Sequence, residues 1–203
     1  MSEVQRKRGR PATIDTDAAM QALVELFRSK GYSAVSLDDL SEATGLSRPS
    51  LYRSFGNKLS MYLGAMDAFG QQVGEMAVPA LRAEGPLQSA LANFYDAMLS
   101  IYYRDSDVAP GCLVFGTAPS SAEEAEIQQR LEFGITSTDR IMRDRIVQAA
   151  SSRDEADIQM AVEIAANTLI AFSARAKSGA TRATLSAMGQ RSATAICTLL
   201  NVD

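Results

Sequence analysis

From Asp15 onward, apolar and polar positions alternate with a helical period. Ala19, Leu23, Leu26 and Lys30 fall on one face, Ala22 and Phe27 widen it, and Gly31 stops the run. A second, shorter helix is predicted from Ser36, which stands three residues before Asp39 at capping-box spacing, with Leu37, Leu40 and Ala43 inward and Gly45 supplying the left-handed end. A third follows almost at once. Ser47 is placed to cap it, Pro49 is tolerated in the first turn because that N–H has no helical partner, and Leu51 and Phe55 point inward.

After Asn57 a long helix is expected through Met61, Ala65, Phe69 and Val73 toward Pro79, with Gly64, Gly70 and Gly74 softening it. Further helices are expected near 87–103, 123–150, 154–176 and 181–200, with a short one around 112–118 and "DSDVAPG" as a loop. No stretch alternates as a strand does, so the fold class is all-α: a three-helix helix-turn-helix domain over residues 1–56, then an all-helical body over 57–203. The last two helices are rich in alanine, at Ala161, Ala165, Ala166, Ala171, Ala174, Ala176, Ala187, Ala193 and Ala195. Such surfaces permit close helix approach, although alanine is also simply the best helix former.

Composition narrows the function. The 203 residues are 46% hydrophobic and 22% charged, a globular balance. No apolar run approaches the roughly 18 residues of a membrane span and no leader pattern opens the chain, so a cytoplasmic protein without a membrane partner is expected. Histidine is absent, which excludes a His-bearing triad, a histidine general base and a histidine-ligated zinc site built from this chain alone. Cys112 and Cys197 lack CxxC spacing. No enzyme, metal or cofactor is expected.

Charge is unevenly placed. Residues 1–60 hold nine Lys/Arg against seven Asp/Glu, leaving eleven against seventeen in the remainder of a chain whose net charge is -4. A basic front on an acidic body suggests that the front meets a polyanion. Arg6 to Arg10 form a short basic run, including Arg8 and Arg10, that reads as a flexible arm. The stretch "ATGLSRPSLYRSFGNK" over residues 43–58 contains no acidic side chain. Helix, glycine turn, helix is a DNA-reading arrangement, and Pro49 fits the helix start, the end that enters a major groove. The outward face then carries Arg48, Ser50, Tyr52 and Arg53, each able to hydrogen-bond a phosphate or a base edge.

The segments "GRPATID", "GYSAVSLDDLSEATGLSRPSLYRSFGNK" and "MYLGAM", spanning roughly residues 9–66, resemble the N-terminal DNA-binding domain of the TetR family of transcriptional regulators. Ser41 departs slightly, where the family usually places alanine. The resemblance implies base contacts from Arg48 and Ser50, with Arg53 beside them and Pro49 at the helix start, and phosphate contacts from Tyr52, Lys58 and Ser36. It also implies a homodimer formed through the last two helices, a palindromic double-stranded DNA operator, and a repressor released by a small-molecule effector. Candidate effector contacts are Phe69, Tyr95, Met98, Tyr102, Phe115, Phe133 and Phe172, with Tyr103 nearby; most are expected to be plain core. "GCLVFGTAP" resembles a segment of one subgroup of the family's regulatory domains. The alternative is control by a protein partner or by oxidation of Cys112, although structural burial suits that cysteine better.

Overall fold

Local capping sets the first elements. The computed structural model describes residues 15–104 and 109–202. Asp15 accepts from the Ala18 N–H at 3.0 Å and opens α1 (Thr16–Lys30). Before α2 (Leu37–Thr44) the expected box is closed in both directions: the Ser36 N–H donates to Asp39 Oδ2 at 2.8 Å and the Asp39 N–H to Ser36 Oγ at 3.1 Å. Gly45 ends the helix at φ 67°, where a side chain would be strained. Ser47 precedes α3 (Arg48–Phe55), but its hydroxyl donates to Ser50 Oγ at 3.0 Å instead of capping the backbone. Asn57 caps α4 (Lys58–Met76) by accepting from the Ser60 N–H at 2.8 Å.

The remaining elements are α5 (Val78–Arg82), α6 (Leu87–Tyr103), α7 (Leu113–Thr117) continued by a 3-10 turn at Ala118–Ser121, α8 (Ala125–Ala150), α9 (Glu155–Lys177) and α10 (Arg182–Leu200). No strand occurs among the described residues. The "DSDVAPG" loop lies partly outside them, as do Arg8 and Arg10 of the basic arm. α5 was not expected, because five residues are too few to show a period.

Several expected inward positions are corrected. The buried face of α1 is Ala19, Leu23, Val24, Phe27 and Arg28, whereas Lys30 is exposed and pairs with Asp39 at 2.5 Å. At roughly 100° per residue Ala19, Leu26 and Lys30 do share a face, but the side that meets the core lies further round the helix, at 23, 24, 27 and 28. In α2 Leu40 is buried but Ala43 is exposed. α4 is helical from end to end despite its glycines.

Helix α6 is the spine. Phe94, Tyr95, Met98, Leu99, Ile101 and Tyr102 on it are all at most 3% exposed, and they belong to one apolar cluster running from Leu23 to Leu200. The core therefore continues across residues 56 and 57 without a break. Gly189 lets α10 press close: a Cβ there would lie 3.0 Å from Tyr95 Cβ and 3.1 Å from Phe172 Cζ. Ala161, Ala165, Ala176 and Ala193 are buried within the chain, so these small residues first serve packing inside the subunit. The outer side of α9 instead carries Met160, Ile164, Asn167, Ile170 and Ala171, all exposed or half-buried.

Candidate DNA interface and effector cavity

Arg48, Pro49, Tyr52 and Arg53 are exposed on α3, with Tyr52 at 45%, while Leu51 anchors the helix inward. Ser50 Oγ accepts from Ser47 Oγ at 3.0 Å and from Arg53 Nη2 at 3.3 Å, which leaves its own O–H to donate outward. Although α3 itself carries no acid, Arg48 Nη2 pairs with Asp38 Oδ1 of α2 at 2.5 Å. The sequence window stopped short of that carboxylate. The pair is exposed on both sides, so it holds the guanidinium only loosely. Lys58 is half-buried; its ammonium sits 4.8 Å from the centre of the Tyr32 ring and donates to the Ser33 carbonyl at 3.4 Å, and burial pulls its pKa down. Ser36 is exposed and engaged in its capping box.

Three sets of contacts tie α1, its following loop and α4 to the later helices. Arg28 is fully buried, with Nε and Nη2 donating to the Gly111 carbonyl at 3.0 and 2.9 Å and Nη2 also to the Ile101 and Tyr102 carbonyls at 3.1 and 3.2 Å. The last two carbonyls belong to the final turn of α6, whose partial negative charge a cation complements. Its Nη1 pairs with Glu25 at 2.9 Å, a carboxylate that Arg104 also approaches at 3.5 Å. Beside it, Tyr62 and Thr117 share a 2.6 Å hydrogen bond, and Ser33 and Ser121 share one at 3.1 Å.

An open-mouthed cavity of about 340 Å³ lies between α4, α6, α7 and α8. Phe69, Met98, Phe115 and Phe133 line it; Phe133 is 66% exposed at its edge. Tyr95, Tyr102 and Phe172 do not. Tyr95 and Phe172 pack edge to face at 5.5 Å in the core, and Tyr95 donates to the Ala165 carbonyl. Tyr103 is buried too, its hydroxyl donating to the Ala180 carbonyl. Gly70 and Gly74 form the α4 edge of the cavity, and a Cβ added to either would meet nothing within 4 Å. At the mouth Arg130 of α8 pairs with Asp67 of α4 at 3.0 Å. Periodicity picked out aromatic side chains; it had no means of finding a space left by glycines.

Cys112 lines the same cavity from the entrance of α7 and is buried, and burial pushes its thiol pKa up. The Tyr102 hydroxyl, also pushed up by burial, lies within weak hydrogen-bonding reach of that thiol. Among the described residues no cluster of His, Cys, Asp or Glu is placed to hold a metal ion, and no helix is long and apolar enough to cross a membrane.

Two short helices joined through a left-handed glycine, the second displaying four donors, on an all-helical body with an apolar cavity, define a helix-turn-helix regulator type. Residues 19–65 match the model of the bacterial regulatory proteins, tetR family. The chain is 32% identical over 131 residues to the HTH-type transcriptional repressor ComR of Escherichia coli, covering 64% of this chain and 62% of that protein. It is 30% identical over 109 residues to the repressor BdcR of the same organism, covering 52% and 53%. The match thus spans less than two thirds of either curated relative. Along the whole fold, the TetR family transcriptional regulator CifR, in a cysteine-substituted form complexed with 26-bp operator DNA, superposes with a TM-score of 0.77 at 26% identity, covering 92% of this chain and 99% of that one. Residues 19–65 thus carry the DNA-binding domain of the tetR family, and the fold of the chain is that of a TetR family regulator.

Proposed function

We propose that this chain is a DNA-binding transcriptional repressor, with residues 1–56 as the DNA-binding head and residues 57–203 as an effector-sensing and dimerising body, working in the cytoplasm. The observation that carries the reading is the exposed donor set of α3, in which Arg48 is held only by an exposed carboxylate and Ser50 keeps a free O–H. It gains support from CifR, which binds operator DNA with the same fold. Arg48 and Ser50, with Arg53, read base edges; Tyr52, Ser36 and Lys58 hold phosphates, and Lys58 must leave Tyr32 and Ser33 to do so.

The second copy docks on the α9–α10 face. Its support is the outward row of Met160, Ile164, Asn167 and Ala171, continued by Met188 of α10 around a common depression. Pairing gives two α3 helices that reach successive major grooves about 34–36 Å apart on a palindromic site. A small molecule in the cavity acts on α4, which supplies one wall, and on α7, whose far end holds Tyr62 and whose entrance holds Arg28. Burial of Cys112, with its thiol pushed up, speaks against oxidation as the trigger.

The test is an operator selected from a randomised DNA pool by the full-length chain. Arg48→Ala should change the preferred sequence and cost about tenfold on the selected site. Lys58→Ala should weaken all sequences alike and lower the slope of log affinity against log salt by about one. Equal, sequence-blind losses from both would refute the assignment of base reading to Arg48. Met160→Glu, in that outward row of α9, should yield a monomer by sedimentation; an unchanged dimer would place the interface elsewhere.

A further inference from the structure

The cavity wall also limits what can occupy it. Met66, Phe69, Val73, Phe94, Met98 and Leu169 present hydrocarbon, ring and thioether surface. The two charged side chains in the lining, Asp67 and Arg130, neutralise each other at 3.0 Å and are both about half exposed, so they stand at the mouth and offer no net charge to the interior. The Thr138 hydroxyl is committed to the Gly134 carbonyl at 2.8 Å. Ser137 differs: it is half-buried in the lining, and its hydroxyl has no hydrogen-bond partner among the described residues.

An ionised group carried inside would lose its hydration and find no counter-charge, which is far more costly than burying a neutral polar group that gains one hydrogen bond. A volume of about 340 Å³, at roughly 30 Å³ per water-sized group, holds about eleven non-hydrogen atoms. The passage is open on the α4 side, where Gly70 and Gly74 project nothing into it.

We propose that the cavity takes an uncharged, mostly hydrocarbon molecule of about eleven non-hydrogen atoms with a single hydroxyl or carbonyl group, and that Ser137 is the hydrogen-bond partner of that group. The proposal rests on the reading of this cavity as the effector site.

Calorimetry on the full-length chain with 1-decanol, decanoate and decylammonium at neutral pH compares one hydrocarbon chain with three end groups. Decanol should bind at least about tenfold more tightly than either ion. Ser137→Ala should weaken decanol by about fivefold, the worth of one neutral hydrogen bond, and leave the ions unchanged. Gly74→Leu, which places a branched side chain in the passage, should abolish decanol binding in a protein that melts no lower than wild type. Decanoate binding as tightly as decanol would overturn the proposal in favour of an anion recruited by Arg130. Undiminished decanol affinity in Gly74→Leu, or no binding by any of the three, would overturn it as well. Adding decanol to the chain on its selected operator separates the two readings: tight binding with no loss of DNA affinity sinks the effector role and leaves the ligand class standing.

Discussion

The guanidinium carbon of Arg28 lies 5.3 Å from the centre of the Phe69 ring. A cation from the first helix therefore rests on the back of a cavity-lining aromatic while its nitrogens serve carbonyls of α6 and of the approach to α7. Such stacking favours a planar guanidinium over an ammonium. Arg28→Met keeps the length but leaves the Gly111, Ile101 and Tyr102 carbonyls without this donor. A loss of about 3 kcal/mol is expected in urea unfolding, with Arg28→Lys between Met and wild type. A loss under about 1 kcal/mol for Met would mean that those carbonyls find other partners.

Glycines of α4 and α8 should respond in opposite directions. Gly74→Ala adds a methyl group to open space on a helix and should stabilise the chain by about 0.5–1 kcal/mol. Gly134→Ala puts its Cβ 2.9 Å from Val114 Cγ1, where α8 and α7 meet, and should destabilise it by about 1–3 kcal/mol. Thermal unfolding of the two single variants decides; equal signs would contradict the geometry.

Ser41 carries a buried hydroxyl with no hydrogen-bond partner. Ser41→Ala removes an unsatisfied group at almost no change in volume, and should raise stability by about 1 kcal/mol. A destabilised alanine variant would reveal a partner for that hydroxyl.

Asp39 is held at a pKa of about 2 against an ordinary 3.8, chiefly by the Lys30 ammonium and then by the Ser36 backbone and hydroxyl. Its folded value lies below its unfolded one, so the stability it confers is fully present above about pH 4 and is lost as pH falls through about 2. Between pH 5 and pH 2 wild type should lose more stability than Asp39→Asn. Parallel curves would show that the carboxylate confers nothing.

The helix-turn-helix was legible because its signals are local. Ser36, Asp39, Gly45 and Pro49 each determine a backbone feature within three or four residues, and the structure keeps them, apart from the hydroxyl of Ser47, which turned to Ser50. Arg28 was not legible: on a helical wheel it reads as one more surface cation, and its role emerges only when Gly111, 83 residues later, arrives over it. The cavity failed for a related reason. Phe69 and Phe172 are the same residue type at equally apolar positions, yet one borders the space and the other fills the core against Tyr95 and Gly189. Which of them meets the opening depends on the relative placement of four helices.

The bare edge at Gly70 and Gly74 has a practical consequence. A folded chain that keeps a hollow where side chains would have packed stands below the stability open to it, and any molecule that fills the hollow raises its melting temperature by mass action. At a hundredfold excess over its dissociation constant, that gain is about 2.7 kcal/mol. A thermal scan against a library of neutral lipophiles can thus find the natural occupant with neither the operator nor the regulated gene in hand, and the Gly74→Leu chain, already plugged, supplies the blank that separates true occupants from compounds that merely coat the surface.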